Sequence, residues 1–286
     1  MQVWLDGRVM PVQEARISPF DRGFLFGDGV YEVVRFFDGV GMAMDLHLAR
    51  LARSLSLAGI EGFTADEARE VMHAVLQAEG LRDAAVYLQV TRGAAATRTH
   101  IPPAGLRPTV FACASACPPL SSLDAAAPIS VVVRPDDRWH RCEIKTISLM
   151  GSVLPMLDAA QTGAEEALLV REGLVSEGSS SNVMAVLGET VVTPPVDADP
   201  SILHGTMRHL ALEAAHTEGL ATDIRPLPLS EMLQADEIIV VSSRRVLAGV
   251  TRLDGRPFRD GSVGPVAHRL IRRMRDGVRS LMTVAR

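Results

Sequence analysis

The chain has 286 residues, of which 47% are hydrophobic and 22% are charged, and this composition excludes an intrinsically disordered protein. A net charge of -5 gives no reason to expect a nucleic-acid partner, and the length is sufficient for two domains. Three cysteines without a CxxC pair, no visible leader and no run of about 20 apolar residues lead us to expect a cytoplasmic protein without disulfides, metal or membrane contact.

The first half of the chain alternates predicted strands and helices. Asp6 and Asp38 each precede a glycine, and Asp-Gly supplies the positive φ of a tight hairpin turn. Thr64 and Glu67 have the spacing of a helix capping box. The predicted elements are hairpins over 3–12 and 30–44, helices over 46–58 and 64–80, and strands over 85–91 and 109–114.

The second half follows a segment rich in Pro, Ser and Ala, which we interpret as a linker over 119–128. The predicted elements here are strands over 129–133 and 237–242, hairpins over 167–175 and 183–193, a helix with Pro155 in its first turns that ends near 163, and helices over 205–219 and from about 265. The predicted domains are a small N-terminal one over 1–118 and a larger one over 129–286. Frequent hairpins predict mixed or antiparallel sheets, an α/β fold of the α+β kind.

Lys145 is the only lysine, because 28 of the 29 basic residues are arginine. A guanidinium is effectively always protonated, whereas an ε-amine can lose its proton, act as a nucleophile and form a Schiff base. The alternative is that one solvated surface lysine has remained by chance. The composition favours Lys145 as a covalent catalytic residue.

An amine that forms Schiff bases suggests pyridoxal 5'-phosphate as the cofactor. Glu177, in a turn-like Ser-rich segment, is a candidate for holding the cofactor's ring nitrogen protonated, although a solvated loop is the alternative. A helix that starts at Gly205-Thr206-Met207 offers backbone N–H groups to the phosphate, and Arg50 can add a bidentate charge.

Four stretches together resemble the class IV aminotransferases, which are fold type IV pyridoxal-phosphate enzymes: 21–32, Arg50, 138–145 and 177–182. The similarity covers nearly the whole chain, and within the family it is greatest to the D-amino-acid aminotransferases. The resemblance implies that Lys145 is the Schiff-base lysine and proton shuttle, that Glu177 contacts the pyridine nitrogen and that Leu203 packs behind the ring. It also implies phosphate contacts from Arg50, Thr206, Met207 and Ser243, and a homodimer with shared active sites.

The D-amino-acid enzymes hold the substrate carboxylate with a Tyr and an Arg-x-His pair, which Tyr31, Arg98 and His100 match. We call these three residues the carboxylate clamp. A forked, permanently charged guanidinium suits a carboxylate, and the resemblance implies that Arg98 and His100 act from the partner subunit. The resemblance therefore implies ping-pong transamination of D-amino acids, of the D-alanine and D-glutamate type, with 2-oxo acids.

Three other functions remain open from the sequence. They are a branched-chain L-amino-acid aminotransferase, an aminodeoxychorismate lyase of the same fold, and a non-catalytic coenzyme-binding protein. Arg244 and Arg245 depart from the D-enzyme pattern, which carries small hydroxyl residues there. Two cations are therefore expected near the phosphate or the rim of the pocket.

Overall fold

The computed structural model describes residues 1–284, which form two compact α+β units. The first unit contains 1–120 and 144–148, and the second contains 121–143 and the described residues from Leu149 to Val284. Within the described residues no helix is long and apolar enough to cross a membrane, and no cluster of His, Cys, Asp and Glu could hold a metal ion.

The first unit is an antiparallel sheet of six strands among its described residues, in the order β2-β1-β6-β5-β3-β4. Its strands are β1 (Gln2–Leu5), β2 (Arg8–Pro11), β3 (Gly29–Phe37), β4 (Val40–Gly41), β5 (Ala84–Thr91) and β6 (Thr109–Ala116). Its helices are α1 (Arg22–Phe26), α2 (Met44–Ala58) and α3 (Ala65–Ala78). Both predicted hairpins are confirmed, with Asp6 and Asp38 at positive φ in their turns.

Helices α2 and α3 pack against each other and against the sheet. Leu48, Leu51 and Leu55 recur at helical spacing on α2 and are buried in the unit's core. The predicted capping box of Thr64 and Glu67 is formed at the start of α3, where each side chain bonds to the other residue's backbone N–H.

Strand β4 pairs only with the last two residues of β3. Residues 144–148 pair with the start of β3, along the edge that faces away from β5. Tyr31 N donates to Lys145 O at 3.0 Å, Ile147 N donates to Gly29 O at 3.0 Å, and Val30 forms a β-bridge with Thr146. These backbone bonds make the segment part of the first unit, whereas the sequence-based division assigned it to the C-terminal domain. The difference arises because pairing with β3 connects residues more than 100 positions apart, which local patterns do not reveal.

The second unit contains a mixed sheet of ten strands in the described part of the chain, ordered β12-β11-β10-β14-β15-β7-β8-β9-β13 with β16 paired to β15. Its strands are β7 (Ala127–Pro135), β8 (Glu166–Arg171), β9 (Leu174–Gly178), β10 (Asn182–Leu187), β11 (Thr190–Thr193), β12 (Ala221–Ile224), β13 (Leu227–Pro228), β14 (Glu237–Ser242), β15 (Val246–Leu253) and β16 (Arg256–Pro257). Its helices are α4 (Met150–Gln161), α5 (Thr206–Thr217), α6 (Leu229–Met232) and α7 (Pro265–Val284). The pairs β11–β12, β15–β7 and β7–β8 are parallel, so the predicted mixed sheet is confirmed.

Both faces of this sheet are covered at its centre. Val131 and Leu168 join the larger core, while Val132 and Leu169 point to the other face and pack against Ala159 of α4. Helices α5 and α7 pack together and against β14. The basic stretch of α7 is amphipathic as expected, with Leu270, Ile271, Met274 and Val278 buried.

The predicted linker is partly ordered. A 3-10 turn covers Leu120–Leu123, and β7 begins at Ala127, two residues before the predicted strand. Pro155 is the sixth residue of α4, which begins at Met150, and so lies within the first two turns of that helix as predicted. The sequence patterns also did not predict α1, whose cap is Asp21, or the edge strand β12.

Candidate active site

In the first unit, Lys145 is held by its backbone while its side chain is partly exposed. Its N–H donates to Ser54 Oγ at 3.1 Å, and its carbonyl accepts from Tyr31 N. Nζ lies 4.2 Å from the centroid of the Tyr31 ring. The structure therefore brings together two of the predicted site residues, an amine and a phenol.

Arg50 belongs to a buried charge cluster on α2 and β3. Its Nε and Nη2 donate to the two oxygens of Glu32 at 2.7 and 2.8 Å, a bidentate pair. His47 Nδ1 lies 2.8 Å from the same carboxylate. Burial of the Glu32 carboxyl opposes its ionisation, but the charges of Arg50 and His47 and their hydrogen bonds bring its pKa below the ordinary value.

Burial lowers the pKa of His47, and the charges of Arg50 and Lys145 act in the same direction against the attraction of Glu32. Glu32 and His47 were missed from the sequence. The available signal was a carboxyl in the middle of an apolar strand, because a buried charge needs partners.

Arg98 and His100 lie on a loop of the first unit and are exposed. The Arg98 guanidinium carbon is 4.7 Å from the Phe26 ring centroid, and the His100 ring is 5.5 Å from the same ring. Arg22, which the sequence did not single out, donates to the carbonyls of Thr99 and His100.

In the second unit, Glu177 is buried at the end of β9 and accepts three hydrogen bonds. Oε1 accepts from Arg138 Nη1 at 2.5 Å, while Oε2 accepts from Asn182 Nδ2 at 2.8 Å and from Leu203 N at 3.2 Å. Burial raises the pKa of Glu177, and the Arg138 charge and the Leu203 N–H oppose that rise without cancelling it. Arg138 in turn forms a bidentate pair with Asp136.

Two of the predicted phosphate-binding residues of this unit, Thr206 and Met207, lie at the start of α5. Gly205 precedes the helix without a side-chain cap, and a Cβ there would overlap Asn182 Oδ1. The Met207 side chain is fully buried, so only its backbone can contact a ligand. Asn182 also donates to Leu203 O at 3.1 Å, which connects Glu177, Leu203 and the helix start.

Ser243 lies in the turn between β14 and β15. The neighbouring Arg245 donates to Glu165 Oε1 at 3.3 Å, so its charge is shared with an exposed carboxylate. The expectation of two cations at the phosphate or the pocket rim stays a prediction.

These donors have the chemistry that pyridoxal phosphate needs. A primary amine can bind its aldehyde, a buried carboxylate can hold its ring nitrogen protonated, and the uncapped start of α5 can donate N–H groups to its phosphate. The close approach of Gly205 to Asn182 keeps that helix start free of a side chain.

Comparison with known proteins identifies the family. The model of the class IV amino-transferases matches residues 29–253. A D-alanine aminotransferase of Bacillus licheniformis is 36% identical over 269 residues, 93% of each chain. A putative branched-chain-amino-acid aminotransferase of Methanocaldococcus jannaschii is 33% identical over 280 residues, 96% of each chain.

Solved structures share the fold at lower identity. A hypothetical aminotransferase from Mycobacterium tuberculosis, in a PLP-bound form, is 24% identical with a TM-score of 0.83, covering 98% of this chain and 99% of that one. The branched-chain amino acid aminotransferase of Escherichia coli is 22% identical with a TM-score of 0.82, covering 94% and 91%. The chain therefore belongs to the class IV aminotransferases, a family whose members depend on pyridoxal 5'-phosphate.

Proposed function

We propose that this enzyme transfers the amino group of D-amino acids, such as D-alanine and D-glutamate, to 2-oxo acids. The observation that carries the proposal is the pair of contacts that Phe26 makes with Arg98 and His100, which holds a guanidinium and an imidazole beside one ring. Together they offer a carboxylate a forked cation and a further hydrogen-bonding group. The D-alanine aminotransferase relatives support the same specificity.

Lys145 is the proposed catalytic residue. Its Nζ would hold the cofactor aldehyde in the resting enzyme and, once the substrate amine has displaced it, would be free to move the proton at the substrate Cα. When bound, pyridoxal phosphate withdraws electrons from Cα and makes that proton acidic. Tyr31, whose ring lies beside Nζ, is proposed to orient the substrate carboxylate with Arg98 and His100. Fixing the carboxylate decides which face of Cα presents its hydrogen to the amine, so the clamp sets the chirality.

The remaining predicted residues are proposed to hold the cofactor. Glu177 keeps the ring nitrogen protonated, and Leu203, whose N–H donates to Glu177, packs behind the ring. The phosphate is assigned to Arg50, Thr206, Met207 and Ser243. In this scheme Glu32 orients the guanidinium of Arg50 by its bidentate bond.

Two measurements on the purified holoenzyme test the proposal. Addition of D-alanine is expected to bleach the visible absorption of the cofactor, and L-alanine is expected to do so far more slowly. Borohydride reduction followed by peptide mass spectrometry is expected to find the cofactor on Lys145, the chain's only side-chain primary amine. Bleaching by the L-isomer alone, or an adduct at another position, would contradict it.

A branched-chain L-amino-acid aminotransferase is the second candidate, favoured by the relative from Methanocaldococcus jannaschii. The Arg98→Gln variant separates the two. We expect it to raise KM for D-alanine by about tenfold or more, since a charged hydrogen bond is worth about 1.5–3 kcal/mol. A branched-chain enzyme that holds the carboxylate elsewhere would keep its KM for L-leucine.

We further propose a homodimer with shared active sites, in which each subunit contributes its Arg98 and His100 to the site of the other. Helix α4 leaves an apolar surface exposed at Met150, Val153, Leu154 and Leu157, and only Ala159 of that helix is buried among its described residues. Such a surface is typical of a protein-protein interface. Light scattering of the holoenzyme is expected to give twice the chain mass, and Leu154→Glu is expected to shift that mass toward the monomer.

A further inference from the structure

Arg22, on α1 of the first unit, is only 4% exposed, and its guanidinium donates three hydrogen bonds. Its Nε donates to Asp28 Oδ2 at 2.7 Å, Nη1 donates to Thr99 O at 2.6 Å, and Nη2 donates to His100 O at 3.0 Å. The guanidinium therefore connects a carboxylate at the end of α1 with two successive carbonyls of the loop 98–100. We call this stretch the clamp loop.

The two carbonyls belong to the peptide groups on either side of His100. Because a guanidinium is a rigid planar fork, it fixes the orientation of both peptide planes at once. The backbone angles of His100, and the direction in which its imidazole leaves the chain, are thereby restricted. A lysine ammonium is a point charge on a flexible stem and has no such fork.

Phe26 adds a second constraint from the end of α1. Its ring centroid is 4.8 Å from the Arg22 guanidinium carbon and 4.7 Å from that of Arg98, so two cations share one ring. The His100 ring lies 5.5 Å away at an interplanar angle of 44°. Arg98 and His100 are both exposed, and the Phe26 ring limits the orientations that each side chain can adopt.

We propose that Arg22 and Phe26 are positioning residues that set the geometry of the carboxylate clamp, Arg22 through the backbone of the clamp loop and Phe26 through the side chains of Arg98 and His100. The inference rests on the proposed role of that clamp in D-amino-acid binding. Asp28 contributes to the same positioning, because its carboxylate accepts a hydrogen bond from Arg22 and orients the guanidinium.

Arg92 provides a matched control. It donates to the same Asp28 carboxylate through Nε and Nη2, at 2.8 and 2.9 Å. Its other bonds go to the carbonyls of Ala58 and Gly59, at the end of α2, rather than to the clamp loop. Loss of either arginine removes a partner of Asp28, but only loss of Arg22 releases the loop.

The experiment measures kcat and KM of the holoenzyme for D-alanine and L-alanine. For Arg22→Lys we expect KM for D-alanine to rise about tenfold with kcat changed less than about threefold, since substrate binding is lost more than chemistry. Arg92→Lys is expected to change KM by less than about twofold. Equal effects of the two variants, or an unchanged KM in Arg22→Lys, would overturn the role of Arg22.

Phe26→Leu tests the second constraint and leaves the Arg22 hydrogen bonds in place. We expect a higher KM and a smaller ratio of D- to L-alanine activity, with both restored in Phe26→Tyr. Combined with Arg98→Gln, Phe26→Leu is expected to raise KM by less than the product of the two single effects. If the two single effects on KM multiply in the double variant, or if Phe26→Leu keeps the wild-type KM and selectivity, the proposal is overturned. This test does not need the Arg22→Lys variant to fold.

The wild-type enzyme separates this inference from the proposed function. If wild type is bleached by L-alanine only, the D-specific function fails whatever the variants show. If wild type prefers D-alanine and the Arg22 and Phe26 variants match it, the function stands and the positioning role is wrong.

Discussion

Arg138 and Glu177 form a direct ion pair in the second unit, with 2.5 Å between Nη1 and Oε1. The same guanidinium forks onto Asp136, whose pKa is lowered because the bonds and charge of Arg138 outweigh its burial. One arginine therefore serves two buried carboxylates. Glu177, the residue proposed to hold the cofactor nitrogen protonated, therefore has Arg138 as its charged partner.

We predict that Arg138→Met lowers the free energy of unfolding by about 3–5 kcal/mol, because it leaves the buried Glu177 carboxylate without its cation and leaves Asp136 with Arg171 alone. Glu177→Gln is expected to lower the free energy of unfolding by less, because Arg138 still pairs with Asp136 in that variant. The same variant is expected to lower kcat about tenfold to a hundredfold. The double variant should be less destabilised than the sum of the two. Denaturant unfolding of the holoenzyme measures this, and additive effects would contradict the coupling.

Arg141→Met is the control for the comparison of the Arg138 and Glu177 variants. Arg141 is exposed and forms an ion pair with Glu143 at 2.6 Å. Surface pairs of this kind contribute less than about 1 kcal/mol. A loss of stability in Arg141→Met as large as that in Arg138→Met would show that burial of the pair is not the cause.

We predict that Lys145→Ala abolishes transamination while leaving the fold intact, because the backbone bonds of residue 145 to Ser54 and Tyr31 do not involve its side chain. Added methylamine should restore part of the activity by supplying the missing base, with a rate that rises with amine concentration. The assay follows the bleaching of the cofactor by D-alanine. Wild-type activity of Lys145→Ala without amine would contradict the assignment.

The decrease in the free energy of unfolding at acid pH is expected to depend on Asp28. Burial alone would raise the pKa of this carboxyl, but hydrogen bonds and charges from Arg92 and Arg22 bring it below the ordinary value. Since the folded-state pKa is depressed, the stabilisation is fully present above the unfolded pKa of about 3.9 and is lost as pH falls through the folded pKa.

Asp28→Asn is therefore predicted to be destabilised by about 1–3 kcal/mol at pH 7, with the difference from wild type shrinking below about pH 4. Unfolding free energies measured between pH 7 and pH 3 provide the test. Asp124→Asn is the control, because Asp124 is exposed and its pair with Arg275 lies at the surface. A constant difference across this range would contradict the linkage.

The last prediction concerns the start of α7. Glu237 of β14 accepts from the N–H groups of Val266 and Ala267 at 2.7 and 2.9 Å, so its carboxylate caps a helix that begins with Pro265. Glu237→Gln removes the charge from the positive end of the helix dipole. We expect thermal unfolding to show a loss of about 0.5–2 kcal/mol, while Glu213→Gln on exposed α5 surface should match wild type.

Local patterns predicted much of the fold because their causes are local. Asp-Gly turns at Asp6 and Asp38, the capping box of Thr64 and Glu67, and the apolar spacing of α7 all act over a few residues. Helix α1 was missed because it has only five residues, too short for a periodic pattern.

The solitary lysine and the order of the motifs were enough to identify the family and its cofactor, because the functional group of each side chain can be read directly from the sequence. Which groups come together was decided only by the tertiary structure. Pairing of 144–148 with β3, the fork of Arg22 onto the clamp loop and the cap of α7 by Glu237 all join distant positions. Such contacts depend on chain packing and on the need of every buried charge for a partner, and no local pattern contains them.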